Sequence, residues 1–428
     1  MHKIVHLDLK GAPLKISFLE QVVKTAKTWG CTGVLLEWED TFPYTGDLVD
    51  IGSIRGSGGD EMYSIDEVHH ILQFIKDLGL EPIHLIQTIG HMEFVLKHPA
   101  FHDLREEPRT PAVLCPSKPE SLTLVKNMLQ QALDVQPDAK YFHIGADEVW
   151  HTGVCEQCHS RAITNEHKVP SLYLEHIREI VLFIKQQRPE LVVLMWDDML
   201  RSINIDPLEY YKIGELVEPV VWNYNVMEHF QIENNLWDTY KKIFSNVWAG
   251  TAFKGANGSC QIMSPVTRYV SNQKVWLKEI RSLSNKINFA GVILTGWSRY
   301  DHYATMCELL PVAMPSLSFC LLYWKSADEH TQVIVCVLFC KMPKRTKKTV
   351  LNSQARDLVV SLREYFERER ENGGPLLSVN HIVDRVAQAL DIGHNTVSRI
   401  TKEKYDDTNM KDNKLPTPQK KRKEMFGR

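Results

Sequence analysis

The stretch Tyr141-Phe-His-Ile-Gly-Ala-Asp-Glu148 decides the fold. Its first six residues, Tyr141–Ala146, read as a strand, and the strand stops at two adjacent acids. Outward from it the same unit recurs. A short β-rich apolar run closes on polar or aromatic residues, and an amphipathic stretch follows. Further strands are predicted at Ile4–Leu9, Gly33–Trp38, Pro82–Gln87, Leu191–Trp196, Pro219–Asn223, Asn246–Ala249 and Gly291–Gly296. Between them, Phe18–Trp29, Ile65–Leu78, Leu122–Leu133 and Leu172–Gln187 space apolar residues by three and four, as helices with one buried face require. Strands alternating with helices indicate a parallel sheet. Eight such units predict an α/β fold closed into a (β/α)8 TIM barrel over residues 1–325.

In such a barrel, active sites lie at the C-terminal strand ends. Here those ends read Asp8-Leu-Lys10, Glu37-Trp-Glu39, Gln87-Thr-Ile-Gly-His91, Asp147-Glu148, Trp196-Asp-Asp198, Trp222-Asn-Tyr224, Trp248 and Trp297-Ser-Arg299. A single Trp at a strand end is usually packing. Five around one rim point instead to flat surfaces for the apolar faces of sugar rings. Alternation along a strand would set His143, Gly145 and Asp147 on one face, with Glu148 leaning over the barrel mouth.

The acids constrain the chemistry. Ordinary glycosidases place two carboxyls about 5–5.5 Å or about 6.5–9.5 Å apart across the scissile bond, drawn from different strands. Sequence neighbours suit another scheme, in which the substrate's own 2-acetamido carbonyl attacks the anomeric carbon. Asp147 would accept the acetamide N–H and stabilise the cationic ring. Glu148 would protonate the leaving oxygen and then activate water, so it has to carry a proton before the bond breaks. The competing structural reading buries two unpaired carboxylates, which is costly.

The motif His143-x-Gly-x-Asp-Glu148 resembles the signature of glycoside hydrolase family twenty, the β-N-acetylhexosaminidases. Leu36-Glu-Trp-Glu-Asp-Thr-Phe-Pro-Tyr44, Gln87-Thr-Ile-Gly-His-Met-Glu-Phe-Val-Leu96, Trp196-Asp-Asp-Met199 and Thr295-Gly-Trp-Ser-Arg-Tyr-Asp301 narrow the resemblance to the branch without a secretory signal. It covers residues 1 to about 320. It implies exo-hydrolysis of terminal β-linked GlcNAc or GalNAc, with Asp147 orienting the acetamide and Glu148 as acid/base. It also implies walls from Trp196, Trp222 and Trp297, an acetamide hydrogen bond from Tyr224 and a polar contact from His91. Trp248, on the same rim, joins the expected substrate-binding set. Asp197 is expected either to touch sugar or to cap the next helix. Two departures stand out. The family's first-strand Arg is missing, with Asp8 and Lys10 as candidate replacements. Its acid after the last-strand Trp is displaced, with Asp301 nearest. No metal or organic cofactor is expected. The expected partners are N-acetylhexosamine-terminated glycans, and a homodimer is allowed.

The 428 residues, 43% hydrophobic and 24% charged, are ordinary for a soluble globular chain. No run reaches the ~18 apolar residues of a membrane span. Met1–Lys10 reads as a strand and not as a signal peptide. The nine cysteines, odd in number and scattered, read as reduced thiols of a cytoplasmic or nuclear protein. Cys155-Glu-Gln-Cys158-His159 matches a haem-attachment pattern and half of a zinc site. Haem attachment needs export, and no second ligand pair stands out, so the segment reads as a loop with free thiols.

The C-terminal region differs in character. From Lys341 onward, 20 basic residues face 12 acidic ones, a net of +8, whereas the rest of the chain carries −11. Residues 326–348 read as a basic linker and 406–428 as a disordered basic tail. Within 349–405, Val386–Ile400 reads as a helix, a turn near Asp391–Gly393 and a second helix presenting His394, Asn395, Thr396, Ser398 and Arg399. It resembles a transposon-type helix-turn-helix, whose exposed helix would enter the DNA major groove. This leaves an alternative function, a DNA-binding protein carrying an inactive sugar-binding barrel. The intact Asp147-Glu148 pair favours the hydrolase.

Overall fold

A computed structural model describes residues 1–52 and 62–328, together with Asn395, Val397, Ser398, Arg399 and Lys402. The chain divides into two units, Met1–Val335 and Cys336–Arg428, and the barrel lies in the first. Of the expected linker, residues 326–328 continue the last barrel helix, and the rest of it, most of the expected helix-turn-helix and the basic tail lie outside the described residues, although the five isolated positions are helical. Among the described residues no helix is long and apolar enough to cross a membrane.

Eight parallel strands close in sequence order: β1 (His2–Asp8), β2 (Gly33–Glu37), β3 (Glu81–Leu85), β4 (Tyr141–His143), β5 (Val192–Trp196), β6 (Glu218–Trp222), β7 (Val247–Lys254) and β8 (Phe289–Gly296). Closure is made by β1 against β8, with His2 opposite Gly291 and Val5 opposite Leu294. The predicted TIM barrel is therefore the fold of the described residues up to Asp328.

Helices form where the spacing predicts them. In Ile65–Asp77 the apolar positions Val68, Ile71, Leu72 and Ile75 are buried. Ser64 and Glu67 close a reciprocal capping box at its start. Each such buried aliphatic side chain contributes about 1.5–3 kcal/mol relative to exposure. The helices that follow β6 and β7 are Asn234–Ile243 and Val266–Ser282, and the second packs against β7. The last helix, Leu310–Asp328, buries Leu317, Leu321 and Trp324. The Trp324 indole donates to Gln273 Oε1 at 2.8 Å.

The barrel interior is filled by Ile4, Leu35, Ile83, Leu85, Leu194, Trp196, Val220, Trp248 and Ile293. Two strands depart most in length from expectation. β7 runs eight residues, to Lys254, and not four. β4 ends at His143, because Gly145 and Ala146 take positive φ of 64° and 70° and leave the ladder. Strand alternation therefore does not reach Asp147, and loop geometry positions it.

Candidate active site

Above the strand ends lies a cavity of about 430 Å³ lined by Lys10, Glu37, Gln87, His91, Asp147, Glu148, Trp196, Trp222, Tyr224, Gly255, Ala256, Trp297 and Tyr300. A larger groove of about 970 Å³ opens at the opposite, N-terminal face. In barrels that face serves stability and not chemistry.

Two interlocked loops hold the acids. Ile86 N–H donates to His143 O at 3.0 Å, and Thr88 Oγ1 donates to Ile144 O at 2.8 Å. Gln87 then uses both ends of its amide. Its Oε1 accepts Ala146 N–H at 3.1 Å, and its Nε2 donates to Asp147 Oδ1 at 3.1 Å. Gly145 is required here, since a Cβ at that position would stand 2.0 Å from Gln87 Oε1. Tyr173 from the helix Val169–Gln187 donates to Ala146 O at 2.8 Å and fixes the turn from behind. Glu148 itself sits at φ 50°, uncommon for a non-glycine residue. Its N–H is held by Asp198 Oδ2 at 2.8 Å, and Asp198 Oδ1 accepts the Trp222 indole N–H at 3.3 Å.

His91, also at positive φ, bridges the pair. Its Nε2 lies 3.4 Å from Asp147 Oδ2 and 3.2 Å from Glu148 Oε2. Burial alone would lower the imidazole pKa, but the Asp147 carboxylate holds it well above the ordinary value. Reciprocally, burial would raise Asp147, and cationic His91 pulls it below the ordinary carboxylate range. Asp147 is thus kept ionised in a buried site. Burial and the neighbouring Asp147 charge push Asp198 up to about 7.

Aromatic side chains form the walls. Trp222 and Tyr224 stack with ring centroids 5.1 Å apart at 21°, and Trp196 and Trp297 meet at 5.7 Å. Burial raises the Tyr224 hydroxyl far above its usual value, so it remains a hydrogen-bond donor. Trp196 Nε1 is buried without a hydrogen-bond partner among the described residues. The far end of the cavity is charged. Lys10 Nζ lies 3.3 Å from Asp8, 3.4 Å from Glu37 and 5.1 Å from the Trp297 ring centre. Burial disfavours its charge, but Asp8, Glu37 and Glu39 raise its pKa well above the usual lysine value.

Three expected substrate contacts are corrected. Trp248 is the second residue of β7, not its last. It is buried in the barrel floor, donates to Glu218 at 2.7 Å and stacks on His2. Asp301 does not line the cavity. Its Oδ1 accepts the N–H groups of Tyr303 and Ala304 at 2.7 Å each, closing a turn. Asp197 is fully buried, accepts from Arg201 Nε and the Tyr240 hydroxyl at 3.0 Å each, and braces the loop after β5. It makes no side-chain cap either. Glu37, Gln87 and Tyr300 were not anticipated as lining residues. Glu37 and Gln87 do sit at predicted strand ends, the signal that could have marked them.

A closed parallel barrel with an acid pair and tryptophan walls at its strand ends defines the protein as a glycoside hydrolase. Residues 84–197 match a family model described as "Domain of unknown function (DUF4838)". Hexosaminidase D of Bos taurus is 41% identical over 320 residues, covering 74% of this chain and 90% of that protein. Hexosaminidase D of Homo sapiens is also 41% identical over 320 residues, and there the chain spans 64% of the relative's length. A crystal structure of β-N-acetylhexosaminidase from Bacteroides fragilis NCTC 9343 shares the fold at TM-score 0.55 and 17% identity, over 77% of this chain and 69% of that one. The chain belongs to the hexosaminidase D family.

Proposed function

We propose that the protein is an exo-acting, retaining β-N-acetylhexosaminidase that uses the acetamido group of its substrate as nucleophile. The observation that carries this reading is the Asp147–His91–Glu148 arrangement in a tryptophan-walled cavity large enough for one sugar residue. Asp147 is ionised, and Gln87 and His91 hold its two oxygens in place. It is suited to accept the acetamide N–H and to align the carbonyl oxygen with the anomeric carbon. The Tyr224 hydroxyl donates to that carbonyl group. Glu148 gives its proton to the glycosidic oxygen as the C–O bond breaks and a cyclic oxazolinium forms. It then removes a proton from the water that opens that ring, so the β-configuration is retained.

Glu37 and Lys10 take the place of the absent first-strand arginine. Glu37 accepts from ring hydroxyls and Lys10 donates to them, while the face of Trp297 stacks on the ring. The substrates are glycans or glycoconjugates ending in β-linked GlcNAc or GalNAc. The test is release of nitrophenol from both β-glycosides by the full chain, by Glu148→Gln and by Asp147→Asn. Turnover that falls by 10²-fold or more in Glu148→Gln, as loss of a general acid requires, supports the reading. Folded wild-type protein that releases no nitrophenol overturns it.

A further inference from the structure

Away from the cavity, four ligating groups from three separate stretches meet at one point. They are Glu106 and Cys115, in the long connection after β3, and Cys155 and Cys158, in the connection after β4. Their ligand atoms all lie within 4.8 Å of one another. Cys115 Sγ is 3.5 Å from both Cys155 Sγ and Cys158 Sγ, and Glu106 Oε2 is 3.1 Å from Cys158 Sγ. A disulfide would bring two sulfurs to about 2 Å. A tetrahedral zinc with bonds of about 2.3 Å sets neighbouring sulfurs roughly 3.8 Å apart, close to the spacing here.

The surroundings fit a bound cation. Glu106 is buried and has no cationic partner among the described residues. Its Oε1 is occupied by the N–H groups of Val154 and Cys155, at 2.7 and 3.0 Å, which leaves Oε2 to face the sulfurs. Cys155 is the N-cap of the helix Glu156–Thr164, and Cys158 N–H donates to Cys155 Sγ at 3.3 Å. That N–H and the helix N-terminus offset thiolate charge. Arg161 Nη1 ties the Cys115 loop to the same helix through Pro116 O and Ser117 Oγ, at 2.9 and 2.8 Å. The second half that Cys155-x-x-Cys158 lacks in sequence is thus supplied about forty residues upstream.

We propose that Cys115, Cys155, Cys158 and Glu106 bind one zinc ion. On binding, the three thiols release their protons to solvent, and three thiolates and one carboxylate fill the tetrahedron. With all four positions held by protein, the site is structural and not catalytic. It clamps the connection that carries His91 to the one that carries Glu148.

The full chain is produced with zinc in the medium and purified without chelator, and its metal is measured by plasma mass spectrometry. One zinc per chain is expected, retained in Cys260→Ser, lost in Cys115→Ser and Cys155→Ser, and bound at least tenfold more weakly in Glu106→Gln. Should the cysteine variants misfold, cobalt exchanged into the wild-type protein decides. Intense tetrahedral cobalt absorption with thiolate-to-cobalt charge transfer supports the site. Bound cobalt without that signature, a zinc content far below one per chain, or a disulfide among these cysteines in the intact mass overturns it.

Discussion

Between Asp147 and Glu148 stands the His91 imidazole, and its charge sets the state of the buried acid. The depressed Asp147 pKa contributes stability above its unfolded value of about 3.9, and that contribution is lost as pH falls through the lower folded value. The raised His91 pKa contributes stability below about 6.5, and that contribution is lost as pH rises through the higher folded value. The pair is therefore strongest between about pH 4 and 6.5. Thermal melts across pH are expected to show wild-type protein gaining over His91→Asn most in that window, with the gain shrinking on the alkaline side. A constant difference across pH would contradict the ion pair. Two tryptophans separate packing from binding at the same scale. Trp248→Ala is expected to cost about 3–5 kcal/mol of stability, as for a large side chain deleted from a core, with KM unchanged. Trp297→Ala is expected to raise KM and leave stability nearer wild type. Steady-state kinetics and denaturant melts on both variants check this contrast.

The end of β4 shows what local pattern can and cannot reveal. The apolar run, the acids and the small residues before them mark a strand that terminates at a site. The left-handed backbone at Gly145, Ala146 and Glu148 is not periodic and leaves no such mark. It arises from partners 27 to 60 residues away, namely Tyr173, Gln87 and Asp198. Gly145→Ala is expected to strain a φ of 64°, at roughly 1–2 kcal/mol, and to push Gln87 off Asp147. A kcat loss on the order of tenfold with a lowered melting temperature is the predicted result, since misplaced positioning groups carry such penalties. Unchanged kcat would remove Gln87 from the account. β7 likewise runs past its expected end. Gly250, just past the expected strand end at Ala249, is a strand residue whose missing side chain admits Trp222, with a Cβ there only 2.7 Å from Trp222 Cβ. The longer strand sets Trp248 on the barrel floor and not on the expected rim.

Over the whole molecule, the eightfold alternation of strand and helix was legible because each unit repeats one physical pattern. The Glu106–Cys115–Cys155–Cys158 cluster was not, because its members converge only through the tertiary fold. The cavity is lined by residues between Lys10 and Tyr300, and the helix Leu310–Asp328 packs against β7 and against the helices Ile16–Thr28 and Val266–Ser282. A chain ending at Asp328 is therefore expected to retain turnover within about twofold of the full chain, since it keeps every described lining residue and the last described barrel helix. A collapse in activity for folded, shortened protein would assign the later residues a part in the site. The central claim is that the substrate supplies the nucleophile while Asp147 and Glu148 manage its proton and charge. It is tested most directly with nitrophenyl β-glycosides whose 2-acetamido group carries none, one, two or three fluorines. Fluorine withdraws electron density from the attacking carbonyl oxygen. The account predicts kcat/KM falling steeply with each fluorine, and no turnover of the 2-hydroxy glucoside. Rates indifferent to fluorine, or equal hydrolysis of the glucoside, would contradict it.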